Sequence, residues 1–139
     1  MDFALAAVLP QLFTGLVLGM LFVLLAIGLS LIFGLMTVVN FSHGALYMLG
    51  AYFTVFFLSY TRNFWVTLLL APLMVGTFGL LMERFLIRRL YGRGPDDPLL
   101  LTFGLSLVLI ETAKIIWGKI GLTLDPPREL GGAVNLGFM

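Results

Sequence analysis

Cysteine is absent from this 139-residue chain. Disulfides, a thiolate nucleophile and cysteine-based metal sites are excluded with it. Charge is scarce: 11% of residues are Asp, Glu, Lys or Arg, against roughly one quarter in a soluble domain. From Phe3 to Thr61 there is none at all. The net charge of +1 leaves no basic stripe to neutralise phosphates, so a nucleic-acid partner is excluded. A single histidine, His43, leaves no His-based metal cluster, and no metal is expected. No glycine-rich phosphate loop of the GxxxxGK[ST] kind is present, so ATP hydrolysis is not expected here. No cofactor is expected on the chain.

What fills the chain instead is apolar sequence, 60% by composition. A soluble fold of this size cannot hide that much apolar surface, so the lipid bilayer is the expected solvent. The hydrophobic pattern predicts an all-α, polytopic transmembrane protein of about four spans. They fall at 12–35, 42–58, 64–85 and 99–117. At 1.5 Å per residue the first is about 36 Å long, enough to cross with some tilt. Gly15 and Gly19 give it a small-xxx-small face. The run 45–58 is short alone, about 21 Å, so the second span is read back to Ser42. Thr61-Arg62-Asn63 is a turn. Trp65 anchors the third span at an interface, Pro72 is a candidate kink, and Gly76 and Gly79 offer close packing. The opening Met1-Asp2 has an acid where a signal peptide needs basic residues, so the start is read as leading into the first span.

Four of the six arginines, Arg84, Arg88, Arg89 and Arg93, cluster around one polar loop. Short arginine-rich loops stay in the cytoplasm. That places loop 86–98 inside, and the N-terminus and the 118–139 loop outside. Arg62, Lys114 and Lys119 lie on the other side and are outweighed. Beyond Trp117 the pattern fades into Pro126-Pro127 and several glycines. The chain stops at Gly137-Phe138-Met139 without completing an element, as a truncated chain or shortened gene product would.

The one polar interruption between the first two apolar runs is Met36–Gly44, with Asn40, Ser42 and His43 inside it. It reads as a helix break preceding the second span, with Ser42 as N-cap accepting from a backbone N–H. Irregular backbone at membrane depth is tolerated only where protein or a water-filled path surrounds it. Two readings remain: Asn40, Ser42, His43 and Gly44 line a solute path, facing the positive end of the second helix, or they satisfy backbone groups at a helix end. Ser42-His43 is not a hydrolase signature, since no orienting acid is nearby. Glu111 and Lys114, three apart on the fourth span, form an intramembrane charged pair. An acid that deep in a span is costly in lipid, so Glu111 is expected to face protein. The alternative is a simple intrahelical pair near the outer interface, with Lys114 snorkelling. Glu83 and Arg84 are read as a charge pair at the inner end of the third span.

Val39-Asn40-Phe41-Ser42-His43-Gly44, followed by Met48-Leu49-Gly50-Ala51-Tyr52, resembles the "NFAHG…GAY" signature of branched-chain amino-acid ABC-transporter permeases of the LIV-H type. Ser42 stands where Ala is usual. Met82–Arg93 resembles that family's "ER…RRLYGR" loop, and Leu100–Leu107 resembles its "LLTFGLSL" block. The three blocks keep the family's order and cover most of 15–117. The resemblance implies the N-terminal half of an inner-membrane permease subunit. The implied partners are a second permease subunit, cytoplasmic ATP-binding subunits and a periplasmic amino-acid-binding protein, and the implied cargo is leucine, isoleucine or valine. Urea and short-chain amide permeases share the blocks. A non-transporting membrane interaction module is the reading from a different class.

Overall fold

The computed structural model describes residues 2–36, 39–94 and 96–118. Four long α-helices account for most of them: α1 (Asp2–Met36), α2 (His43–Thr61), α3 (Phe64–Phe85) and α4 (Asp96–Trp117). A short 3₁₀ turn, Ile87–Leu90, follows α3. No strand occurs among the described residues. All four helices are long and apolar enough to cross a bilayer. The expected outer loop lies, beyond Gly118, outside the described residues.

Two compact units divide the described chain, one carrying 2–31 and the other 32–118. The first is α1 up to Leu31. It starts ten residues before the apolar run at Leu12 and contains Pro10. Pro10 lies inside the helix, where the missing N–H leaves one i→i−4 bond unmade, and its carbonyl accepts from the Thr14 hydroxyl at 2.9 Å. The apolar stretch that could span begins at Val8. Gly15 and Gly19 do share a groove, with Leu16, Met20, Val23 and Leu24. A Cβ at either glycine would meet nothing within 4 Å, so no described residue exploits that face.

The second unit is organised by α2, α3 and α4. The α2–α3 connection is only two residues long because both ends are capped. Arg62 turns the chain in the left-handed region (φ 52°) and its N–H reaches the Leu58 carbonyl at 2.9 Å. The Asn63 side chain then accepts from the amides of Trp65 and Val66 at 3.0 and 3.3 Å, satisfying two of the donors a helix start leaves open. So α2 extends to Thr61 rather than ending at Leu58. The hydroxyls of Thr61 and Thr67 meet at 3.1 Å across the turn. Further along, a Cβ on Gly50 would lie 3.7 Å from Val75. The close approach of α2 to α3 is therefore made at Gly50; a Cβ at Gly76 or Gly79 would meet nothing within 4 Å. Helix α3 is continuous through Pro72.

Helix α4 begins at Asp96, three residues before the apolar run. Asp96 and Asp97 occupy its first turn, where carboxylates favour the positive end of the dipole. Pro98 is tolerated that near the start. Ala45, Leu49, Met82, Leu109 and Ala113 form the core, lined by Tyr52, Phe53, Phe78 and Trp117 among others. Ala113 is fully buried. Small residues at such contacts let helices approach closely, which is the main source of packing energy where lipid replaces water. Trp117 stacks on Tyr52 (centroids 5.0 Å apart, 24° between planes) and meets Phe53 edge-on at 6.0 Å. At the opposite end, Phe41 meets Phe103 edge-on at 6.2 Å. Residues before α2 thus pair with the start of α4, and mid-α2 pairs with its end. The two helices run parallel, with α3 antiparallel to α2.

Candidate functional site

The polar break is the site, and it is built jointly by the segment before α2 and by α4. Asn40 Oδ1 accepts from the Ser42 amide at 2.9 Å, and the Asn40 carbonyl accepts from the His43 amide at 3.2 Å. This pair of bonds folds 40–43 into a tight turn and starts α2. The Ser42 hydroxyl, expected to cap α2, makes no capping bond. It donates instead to the Thr102 carbonyl on α4 at 2.8 Å. The reason is tertiary: Ser42 is fully buried against α4, so its hydroxyl points at a carbonyl of the neighbouring helix rather than along its own.

Thr102 answers from the other side. Its hydroxyl accepts from the Phe41 amide at 3.2 Å and lies 3.3 Å from the Val39 carbonyl and 3.2 Å from the Leu99 carbonyl as acceptors for its proton. It too is fully buried. Phe41 and Val39 carry the unpaired backbone groups of the break, and lipid offers them nothing. Thr102 supplies both an acceptor and a donor from one side chain. The sequence analysis passed over it as part of an apolar span. A lone Thr one turn into that span was the available signal, but its partners lie about sixty residues earlier.

The predicted cluster therefore separates into two parts. Asn40 and Ser42 are buried and spend their polar atoms inside the chain. His43 is partly buried and Gly44 exposed, and the imidazole bonds to no described residue. Because Ser42 is diverted to α4, the Gly44 and Ala45 amides at the start of α2 also find no acceptor among the described residues. A Cβ at Gly44 would meet nothing within 4 Å. The break thus presents an imidazole and the Gly44 amide at a positive helix end, with no acid in the first turn of α2, while Ala45 is buried in the core.

The other candidates lie elsewhere. Lys114 Nζ donates to Glu111 Oε1 at 2.7 Å. The Glu111 side chain is 65% exposed on this chain. Residue 111 projects from the opposite side of α4 to the buried stripe Thr102, Ser106, Leu109 and Ala113, and its charge is met along its own helix. Glu83 does not pair with Arg84, since neighbours on a helix diverge. It accepts instead from the Tyr91 phenol at 3.2 Å, across the 3₁₀ turn that the buried Ile87 pins down. Loss of water around the phenol, then the bond to Glu83 and its negative charge, raise the Tyr91 pKa above its ordinary value, with Arg88 opposing. Arg84, Arg88 and Arg89 are exposed, and Arg93 lies 4.0 Å from Asp97. Among the described residues no His, Cys, Asp or Glu cluster could hold a metal.

Residues 11–129 match the family described as branched-chain amino acid transport system, permease component. The chain is 33% identical over 112 residues to the high-affinity branched-chain amino acid transport system permease protein BraD of Pseudomonas aeruginosa, covering 73% of this chain and 36% of the relative. It is 30% identical over 120 residues to the permease protein LivM of Escherichia coli, covering 83% of this chain and 27% of the relative. To LivH of the same organism it is 43% identical over 44 residues, 32% of this chain and 14% of the relative. The chain thus spans well under half the length of the curated relatives it matches. No solved structure matches it. With four apolar helices long enough to cross a bilayer and a family match over most of its length, the chain is a multi-pass membrane protein belonging to the branched-chain amino acid transport system permeases.

Proposed function

We propose that this chain is a transmembrane permease subunit of an ATP-driven importer of leucine, isoleucine and valine, with the start of α2 on the solute path. The observation that carries the reading is the diversion of Ser42 to α4, which leaves the exposed Gly44 amide without an acceptor beside His43. Open amides at a helix start suit the carboxylate of an amino acid. A neutral solute such as urea has no such group to place there. In this reading Asn40 and Ser42 hold the break, and His43 and Gly44 meet the solute. ATP is hydrolysed on cytoplasmic partner subunits, a second permease subunit completes the path, and a periplasmic binding protein delivers the solute.

The parallel course of α2 and α4 supports the alternating topology. Arg84, Arg88, Arg89 and Arg93 set the cytoplasmic side in the inner membrane. Uptake of labelled leucine, isoleucine, valine and urea is compared in cells with the gene intact, deleted, or carrying His43→Ala. Leucine uptake is expected to fall on deletion, with KM raised several-fold in the variant. Normal uptake at normal expression with His43→Ala refutes the path role, and urea import in place of leucine overturns the cargo.

A further inference from the structure

We infer that Thr102 is a positioning residue of α4, gripping the break so that the start of α2, His43 included, is carried by α4. Every route out of the turn leads to this one residue. The Thr102 carbonyl receives the Ser42 hydroxyl at 2.8 Å, and the Thr102 hydroxyl receives the Phe41 amide at 3.2 Å and lies within reach of the Val39 carbonyl at 3.3 Å. Three residues of one segment, Val39, Phe41 and Ser42, are thus held by backbone and side chain of a single position on α4. The edge-on contact of Phe41 with Phe103 extends the grip by one residue. The Asn40 turn, internally bonded, transmits the position of Ser42 rigidly to His43. These bonds centre on Ser42 and Thr102, both fully buried, so the break follows α4 rather than sliding over it.

The consequence for transport rests on the function proposed above: a tilt of α4 would move the imidazole and the Gly44 amide together. The grip itself does not depend on that function and is read separately. Amide hydrogen exchange is followed in the complete chain in lipid nanodiscs, comparing the parent with Thr102→Val and Thr102→Ser. Valine keeps the shape and removes the hydroxyl; serine keeps the hydroxyl. Exchange in the segment containing Phe41 is expected to quicken on the order of tenfold with valine and to match the parent with serine. The Arg62 amide, bonded to Leu58 at the far end of α2, serves as the control and stays unchanged. In uptake, Thr102→Val is expected to raise KM for leucine more than it lowers the maximal rate, and serine is expected to restore it. Equal Phe41 exchange in the valine variant and the parent overturns the proposal. So does a serine variant as impaired as valine, or a valine variant whose uptake falls only in proportion to the folded protein recovered. A parent chain that imports none of the solutes refutes the transport reading alone, because the exchange measurement needs no transport.

Discussion

Ser42→Ala and Thr102→Val each delete one hydroxyl from the same contact, that of Ser42 with one hydrogen bond and that of Thr102 with three. The geometry ranks them. In Ser42→Ala the bond to the Thr102 carbonyl is lost, but donor and acceptor fare differently. The donor disappears with the side chain. The carbonyl remains a member of the α4 ladder and keeps its helical partner. No polar group is stranded, so the cost is that of an average membrane-buried hydrogen bond, about 0.6 kcal/mol. In Thr102→Val the Phe41 amide remains and loses its acceptor. No other described residue accepts from it, and the bond is part-buried. A stranded buried donor costs about 1–3 kcal/mol. Thr102→Val should therefore cost roughly two to five times as much as Ser42→Ala. Reversible unfolding in mixed micelles measures this, with Trp117 as reporter because its stacking on Tyr52 is lost when α2 and α4 part. A Ser42→Ala cost equal to or above that of Thr102→Val would refute the reasoning that loss of the Thr102 hydroxyl strands the Phe41 amide.

Three further outcomes follow from other contacts. Asn63→Ala removes the acceptor of the Trp65 and Val66 amides and should destabilise the α2–α3 hairpin by about 1 kcal/mol, read in the same unfolding assay. Lys114→Met alone leaves Glu111 without its partner, and removing one member of a pair in apolar surroundings is worse than removing both; the double variant Lys114→Met with Glu111→Gln should therefore express and remain monodisperse better than the single one. The Tyr91 phenol, held neutral by lost hydration and by Glu83, has a folded pKa above its unfolded value of about 10. Its contribution to stability is thus complete below that value and lost as pH rises through the folded one. Unfolding midpoints should be flat from neutral pH to about 9, and the alkaline loss should shrink in Tyr91→Phe.

The membrane class, the number of helices and their approximate places were legible from composition and run length, because lipid demands long uncharged helices and little else makes them. Helix ends were less legible. Asp96 and Asp97 extend α4, and Arg62 and Asn63 close α2 and open α3, through local caps that apolar runs do not report. The break at Asn40–Gly44 was visible as the polar interruption of an apolar region, and so were its candidate residues. What each of them does was not. Ser42 looked like a cap because capping is a local rule; the packed pair of helices turned its hydroxyl toward Thr102. The side of α4 from which Glu111 projects, away from the Thr102, Ser106, Leu109 and Ala113 stripe, was likewise decided by the docking of the helices. Thr102 stood out only as a lone Thr in an apolar run, since its partners at Val39, Phe41 and Ser42 are distant in sequence. Spacing along a chain reports which groups share a helix face. Which carbonyl a buried hydroxyl meets depends on how two parallel helices are docked, and that was settled by the Ala45, Leu49, Leu109 and Ala113 contact in three dimensions.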